Sequence, residues 1–230
     1  MDGLVLALLA FVGTHFLLSH PLRAPLVARL GDKGFQALYS VVALGTFYWV
    51  YVAFRAAPRG MDHWMVSNGL WVFASLLMLF GAILFAGSLV GNPAMPAPAA
   101  AQAAAQPARG VFRITRHPMM WGFAIWAVVH AIVAPYSASF ALTFGMLVLA
   151  LGGSAGQDRK KAKLMGDAWA DWSARTSFLP FGNQLSGKAA WKTAWPGRRA
   201  FLIGVVIWLG ATYLHPMLGA PPVGIWRSYR

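Results

Sequence analysis

The chain has 230 residues, of which 58% are hydrophobic and 11% are charged, and its formal net charge is +13. A soluble domain normally has about 25% charged residues, so this composition excludes an ordinary soluble protein and indicates an integral membrane protein. The absence of cysteine excludes disulfides, thiolate metal sites and a cysteine nucleophile. The basic residues flank apolar segments and form no DNA- or RNA-binding motif, so we expect contact with the lipid bilayer and its anionic headgroups and no nucleic acid.

The apolar runs predict an all-α integral membrane protein with about six transmembrane helices in a single membrane domain that covers residues 1–230. The predicted spans, in chain order, are residues 4–19, 35–54, 70–90, 119–134, 138–155 and 200–218. Pro135 separates the fourth span from the fifth, so these two helices should form a tight antiparallel hairpin. Between the third and fourth spans, residues 93–106 are rich in Pro, Ala and Gln, and we expect a loop that is mobile or partly helical.

Lysine and arginine are distributed unequally between alternate loops. Fifteen of the 19 basic residues fall on one side of the predicted membrane and four fall on the other. By the positive-inside rule the basic side is cytoplasmic, which places the N and C termini outside, in the periplasm. The pattern therefore predicts a multi-pass protein of the bacterial inner (cytoplasmic) membrane whose largest polar segment, residues 157–199, is cytoplasmic.

The start of this polar segment combines lysines with an aromatic stripe. Met165, Trp169 and Trp172 are spaced four and three residues apart, which places them on one face of a helix. We therefore expect an interfacial amphipathic helix after the fifth span, with its aromatic face in the membrane surface and its lysines reaching lipid headgroups.

Two histidines lie inside predicted spans, where a polar side chain without a partner is costly. His15 lies eleven residues after Leu4, where the first span begins, and His130 lies twelve residues after Pro118. At 1.5 Å per residue they lie roughly 16 Å and 18 Å from opposite faces of a core about 30 Å thick, which predicts similar depths. Two facing imidazoles would suit the axial ligation of a haem iron. The alternative is that each histidine only forms a hydrogen bond with a neighbouring helix.

Arg116, His117 and Pro118 mark the start of the fourth span on the basic side. Proline favours the first position of a helix, so the motif predicts a helix start. A guanidinium and an imidazole at a water–lipid boundary can also bind a carboxylate or a phosphate, so Arg116 and His117 are candidate cofactor-binding residues. The two outer histidines, His63 and His215, fall in or near loops, where a structural role is favoured.

Four short segments together carry a family resemblance: Gly13 to His15, Ser19 to Pro21, Arg113 to Pro118, and Ile125 to His130. They resemble the NnrU family, which includes bacterial proteins linked to denitrification and a plant isomerase of 15-cis-zeta-carotene. The resemblance implies a membrane protein that carries haem b. The family's two histidines that bind the haem iron, its metal ligands, correspond to His15 and His130. It also implies a redox or isomerase-type activity on a lipophilic small molecule, or a role in nitrogen-oxide reduction. The plant isomerase has a cysteine where this chain has Ala127.

A wider resemblance is to membrane methyltransferases of the isoprenylcysteine carboxyl methyltransferase type, which carry Arg-His-Pro at a helix start and an acidic pair further along. Here the acidic pair corresponds to Gln157 and Asp158, so one carboxylate remains. This resemblance implies that Asp158, Arg116 and His117 would surround S-adenosylmethionine. A methyltransferase that uses this cofactor is therefore the first alternative function. A non-catalytic accessory protein for nitric oxide or nitrite reductase is the second.

Overall fold

The computed structural model describes residues 1–95 and 99–229, and within these residues it contains helices and no strand. The helices of the first half are α1 (Asp2–Ser19), α2 (Arg23–Ala56), α3 (Asn68–Ser88) and α4 (Ala100–Ala105). Those of the second half are α5 (Pro118–Val133), α6 (Ser137–Leu147), α7 (Gly153–Met165), α8 (Asp167–Arg175), α9 (Gly182–Leu185) and α10 (Arg198–Leu214). A π-helical turn, Val148–Gly152, joins α6 to α7. The predicted all-α class is confirmed.

Five of the described helices are long and apolar enough to cross a bilayer, which makes the protein a multi-pass helical membrane protein. They are Asp2–Ser19, Arg23–Ala56, Asn68–Ser88, Ser137–Met165 and Arg198–Leu218. The predicted fourth span corresponds to α5, which is apolar but has 16 residues, or roughly 24 Å of helix. This length falls short of a hydrocarbon core of about 30 Å.

The long helices pack mainly in a row. From one end to the other, the order in the row is α2, α1, α6, α5, α3 and α10. Three residues separate α5 from α6, so the predicted tight hairpin is confirmed. The two ends of the row meet where Arg55 Nη1, on α2, donates a hydrogen bond to the carbonyl of Leu218 at 3.3 Å. Large apolar side chains on α2 and α10 are exposed, as expected for helices that face lipid.

Glycines allow α3 to approach its two neighbours closely. A Cβ atom at Gly204 on α10 would lie 2.6 Å from the Cα atom of Ile83, and one at Gly122 on α5 would lie 2.9 Å from the carbonyl oxygen of Gly81. Because both obstacles are backbone atoms, a larger residue could fit only if a helix moved.

We therefore expect Gly204→Ala to destabilise the protein by about 1–3 kcal/mol, because the added methyl group pushes α10 away from α3. The midpoint of thermal denaturation in detergent should fall. The matched control is Gly210→Ala on the same helix, where a Cβ atom meets nothing within 4 Å. Equal midpoints for the two variants would contradict this packing.

The segment after α7 differs from the predicted interfacial helix. Gly166 has φ 53° and ψ −126°, a conformation that favours glycine, and it separates α7 from α8. Trp169 and Trp172 on α8 are each 2% exposed, and the Trp172 ring packs edge-on against Phe112 with 5.7 Å between centroids. The prediction that the aromatic face lies in the membrane surface is therefore wrong. The turn at Gly166 directs that face into the protein instead.

The Pro-, Ala- and Gln-rich loop is partly helical, as predicted, because α4 forms within it. Its first described part is fixed to α7, where Lys161 Nζ donates a hydrogen bond to the carbonyl of Met95 at 2.9 Å. Residues 96–98, which the same prediction covers, lie outside the described residues. Further along, α4 packs against α8.

Candidate functional site

The start of α5 and the polar turns of α7 meet in a cluster of Arg116, His117 and Asp158, hereafter the Arg116 cluster. Asp158 Oδ2 accepts hydrogen bonds from Arg116 Nη2 at 2.5 Å and Nε at 3.0 Å. Asp158 Oδ1 accepts from Arg116 Nε at 3.1 Å and lies 2.7 Å from His117 Nε2. The three side chains are 15%, 0% and 21% exposed, respectively. The structure therefore brings together three of the candidate residues. Pro118, which follows His117 in the chain, begins α5, as predicted.

The segment after α8 holds the start of α5 in place. The backbone N–H of Arg116 donates to the carbonyl of Ser177 at 2.8 Å. The carbonyl of Phe178 accepts two further hydrogen bonds, from Thr115 Oγ1 and from Trp121 Nε1, both at 2.8 Å. The Phe178 ring also lies 5.4 Å from the Arg116 guanidinium carbon. These contacts fix the backbone at the start of α5, and the Phe178 ring covers one side of the Arg116 guanidinium.

The Arg116 cluster is internally paired. Both Asp158 oxygens have partners, and the Arg116 guanidinium uses two of its nitrogens on this one carboxylate. Paired charges of this kind connect α5 to α7 and cost much less than an isolated buried charge. An external carboxylate, phosphate or ribose would have to displace an existing contact in order to bind here. The geometry does not add support to the S-adenosylmethionine site, which stays a prediction.

His15 lies four residues before the end of α1. Its Nδ1 donates a hydrogen bond to the carbonyl of Phe11 at 2.6 Å. The ring packs against Phe11 at 4.4 Å and against Tyr39 of α2 at 5.5 Å, measured between centroids. Because a carbonyl can only accept, Nδ1 carries the proton and the neutral ring has its lone pair on Nε2. His15 therefore bonds within its own helix and faces α2.

His130 lies three residues before the end of α5, close to His215. Its Nδ1 donates to the carbonyl of Trp126 at 2.8 Å, and its ring stacks on that of Trp126 with 4.1 Å between centroids. The His215 ring lies 6.2 Å away, and its Nδ1 donates to the carbonyl of Pro221 at 2.9 Å. With Nδ1 donating to a carbonyl, the nitrogen left to bind a metal in each ring is Nε2, the arrangement of histidines that bind metals. Sequence reasoning assigned His215 only a structural role, because it falls near the outer end of the last predicted span, 200–218.

The structure does not bring His15 and His130 together, as contacts along the continuous α6–α7 helix show. Ser139, near its start, donates through Oγ to the carbonyl of His130 at 3.4 Å. Phe16, adjacent to His15, lies against Gly152, where a Cβ atom would be 2.9 Å from the ring. Ser139 and Gly152 are thirteen residues apart, which corresponds to roughly 20 Å along the helix. The predicted matched depth is therefore not found.

The depth prediction differed because it measured each histidine from an opposite membrane face. The short α5 ends at Val133, so His130 lies near one end of the bundle, whereas His15 lies near the opposite end because α1 stops at Ser19. Metal–nitrogen bonds are about 2 Å long, so two ligands of one ion lie about 4 Å apart. His15 and His130 therefore do not fit a single haem iron. The described residues also contain no group of three or more His, Cys, Asp or Glu side chains that could hold a metal ion.

Comparisons with known proteins fit a multi-pass helical membrane protein. The model of the family described as NnrU protein matches residues 3–222, so the chain belongs to the NnrU family. The chain is similar to the chloroplastic 15-cis-zeta-carotene isomerase of Zea mays, with 30% identity over 114 residues, or 48% of this chain and 31% of that protein. The same enzyme of Arabidopsis thaliana is 28% identical over 112 residues, or 47% of this chain and 30% of that protein.

These matches cover about half of the chain and less than a third of the length of the two plant relatives. No solved structure matches the chain. The resemblance to the NnrU family, identified from the residues around the histidines, is confirmed.

Proposed function

We propose that the protein is an isomerase-type membrane protein that acts on a lipophilic substrate of the carotenoid class. The observation that carries this proposal is the similarity to two 15-cis-zeta-carotene isomerases, within a family whose model matches residues 3–222. A carotene is a long apolar polyene that resides in a bilayer. Such a substrate must reach the protein from within the lipid, and a multi-pass helical membrane protein has surfaces in contact with lipid where this can happen.

The row of helices supports entry of the substrate from the lipid. The helices at its two ends, α2 and α10, expose large apolar side chains, including Leu44 and Phe47 on α2 and Val206 on α10. α2 and the segment after α10 are joined by a hydrogen bond from Arg55 to the carbonyl of Leu218. A long apolar molecule could lie along these faces without crossing water. This placement leaves the polar Arg116 cluster to hold α5 and α7 in position.

The proposal can be tested in cells that accumulate 15-cis-zeta-carotene and lack their own isomerase. Expression of the chain should lower the fraction of the 15-cis isomer and raise that of an isomer of the same mass, measured by chromatography of pigments extracted in the dark. Cells that carry an empty vector provide the control. An unchanged isomer ratio, with the protein present in the membrane fraction, would contradict the proposal.

We also propose that the chain binds haem b through His130. Its Nε2 lone pair is available for coordination, and the 6.2 Å between the His130 and His215 ring centres is close to the roughly 6 Å expected for two imidazoles on one metal ion. His215, rather than His15, is therefore the second ligand in this proposal. A bound haem would supply a redox-active iron.

We also propose how the chain crosses the membrane. With α5 as a sixth, short span and the basic loops in the cytoplasm, both termini lie outside, and the basic side faces anionic lipid headgroups. Residence in a bacterial inner membrane stays a prediction, because the two named plant relatives are chloroplastic. The accessory role in nitric oxide or nitrite reduction also stays a prediction, and no contact in the structure favours it.

A further inference from the structure

A small cavity lies against His117, beside the Arg116 cluster. Its volume is about 20 Å³, which is enough for one small ion or one water molecule. Besides Ala94, the cavity is lined by three methionines, one imidazole and two amides: Met95, Met119, Met120, His117, Asn92 and Gln157. Asp158, which contacts the opposite nitrogen of the imidazole, is not among the lining residues. The cavity therefore combines one nitrogen ligand with several thioether side chains.

One nitrogen of the His117 imidazole is free to bind a ligand. The side chain is fully buried, and its Nδ1 atom has no hydrogen-bond partner among the described residues. Nε2 is 2.7 Å from the Asp158 carboxylate, which can only accept, so in the neutral ring the lone pair lies on Nδ1. Leaving a buried acceptor without a partner is unfavourable. A carboxylate that fixes the tautomer and raises the basicity of the other nitrogen is the usual support of a histidine metal ligand.

The chemistry of the lining residues selects the metal. Thioether sulfur is a soft ligand that favours Cu(I), whereas Mg²⁺ and Ca²⁺ require several oxygen ligands. Zinc sites are built from thiolates, imidazoles and carboxylates, and the chain has no cysteine. Two cations lie next to the cavity: Arg116 is paired with Asp158, and Lys161 Nζ bonds the carbonyl of Met95. A monovalent ion is repelled less by these charges than a divalent one.

We propose that this cavity binds one Cu(I) ion through His117 Nδ1 and the thioether sulfurs of Met119 and Met120, with Met95 at the rim. The sequence motif Arg-His-Pro-Met-Met supplies three of these ligands from the first turn of α5 and the residue before it. The site is separate from His130, which lies thirteen residues further along the chain. One water molecule bonded to Asn92 or Gln157 is the other occupant that would fit the cavity.

The test is an anaerobic titration of the purified full-length protein in detergent with Cu(I), in competition with the chromogenic chelator bathocuproine disulfonate. We expect one Cu(I) per chain, and X-ray absorption of the loaded protein should show both nitrogen and sulfur ligands. The double variant Met119→Leu/Met120→Leu removes the sulfurs but conserves volume, so it should fold. Its affinity for Cu(I) should fall by about tenfold or more.

The matched control is Met78→Leu/Met146→Leu, which alters two partly buried methionines on α3 and α6 away from the cavity. It should bind Cu(I) as the unaltered protein does, and the midpoints of thermal denaturation of both double variants should show that they are folded. The proposal is overturned if the protein does not compete with the chelator, which would leave water as the occupant. It is also overturned if both double variants bind equally or if the bound copper has no sulfur ligand.

Discussion

Asp158→Asn should lower the free energy of unfolding by about 2–3 kcal/mol, because the substitution leaves the partly buried guanidinium of Arg116 without a compensating charge. The carboxylate receives hydrogen bonds from both Arg116 nitrogens that face it and contacts His117. An amide can replace only part of this set, since its nitrogen is itself a donor. The measurement is the midpoint of thermal denaturation of the purified protein in detergent, which should fall by several degrees.

The control for this loss is Asp32→Asn. The Asp32 side chain is 72% exposed and lies 3.8 Å from Arg23, so its ion pair contributes little. A double variant, Arg116→Gln/Asp158→Asn, separates pairing from other effects, because removing both charges should cost less than the sum of the two single changes. If Asp158→Asn and Asp32→Asn have the same midpoint of thermal denaturation, the Arg116 cluster does not connect α5 to α7 in the way described.

The second large effect concerns the histidines. His130 and His215 are the two proposed haem ligands, because their rings lie 6.2 Å apart. His130→Ala should therefore abolish the haem absorption band of the purified protein, and His215→Ala should weaken or abolish it. His15→Ala should retain the band, since His15 lies near the opposite end of the bundle and bonds its own helix. The measurement is the visible absorption spectrum after reconstitution with haem b.

His63→Ala provides a control at the same end of the bundle as His130, because the His63 ring packs on Phe140 of α6 at 5.3 Å. This variant should keep the band. The ligand assignment is wrong if the band is lost in His15→Ala but kept in His215→Ala. Absence of any band in the unaltered protein after reconstitution would remove the haem proposal altogether.

Much of the fold follows from the sequence, because hydrophobic length determines the helices of a membrane protein. The segments predicted at 4–19, 70–90 and 200–218 correspond closely to described helices. The sequence also identified Arg116 and His117 as candidate residues, since a charged motif at a span boundary is conspicuous, whereas Asp158 became a candidate through the resemblance to membrane methyltransferases. Their mutual pairing depends on the fold, because Asp158 is more than forty residues from Arg116 in the chain.

Two features could not be derived from helical periodicity. Trp169 and Trp172 have the spacing of an interfacial helix, yet the positive φ of Gly166 directs them into the protein. A periodic pattern shows that an apolar face exists but does not show whether lipid or protein covers it. The relative depth of His15 and His130 was also misplaced, because the way α1 and α5 are staggered in the bundle depends on packing between helices.

The measurement that tests the proposed function most directly is a time course with purified protein and 15-cis-zeta-carotene in detergent, kept in the dark because light isomerises polyenes on its own. We predict that the 15-cis isomer is converted, over repeated turnovers, into an isomer of identical mass that separates from it by chromatography. Protein denatured by heat should give no conversion. If folded protein, with and without added haem b, leaves the isomer ratio unchanged, the protein is not an isomerase of this carotene.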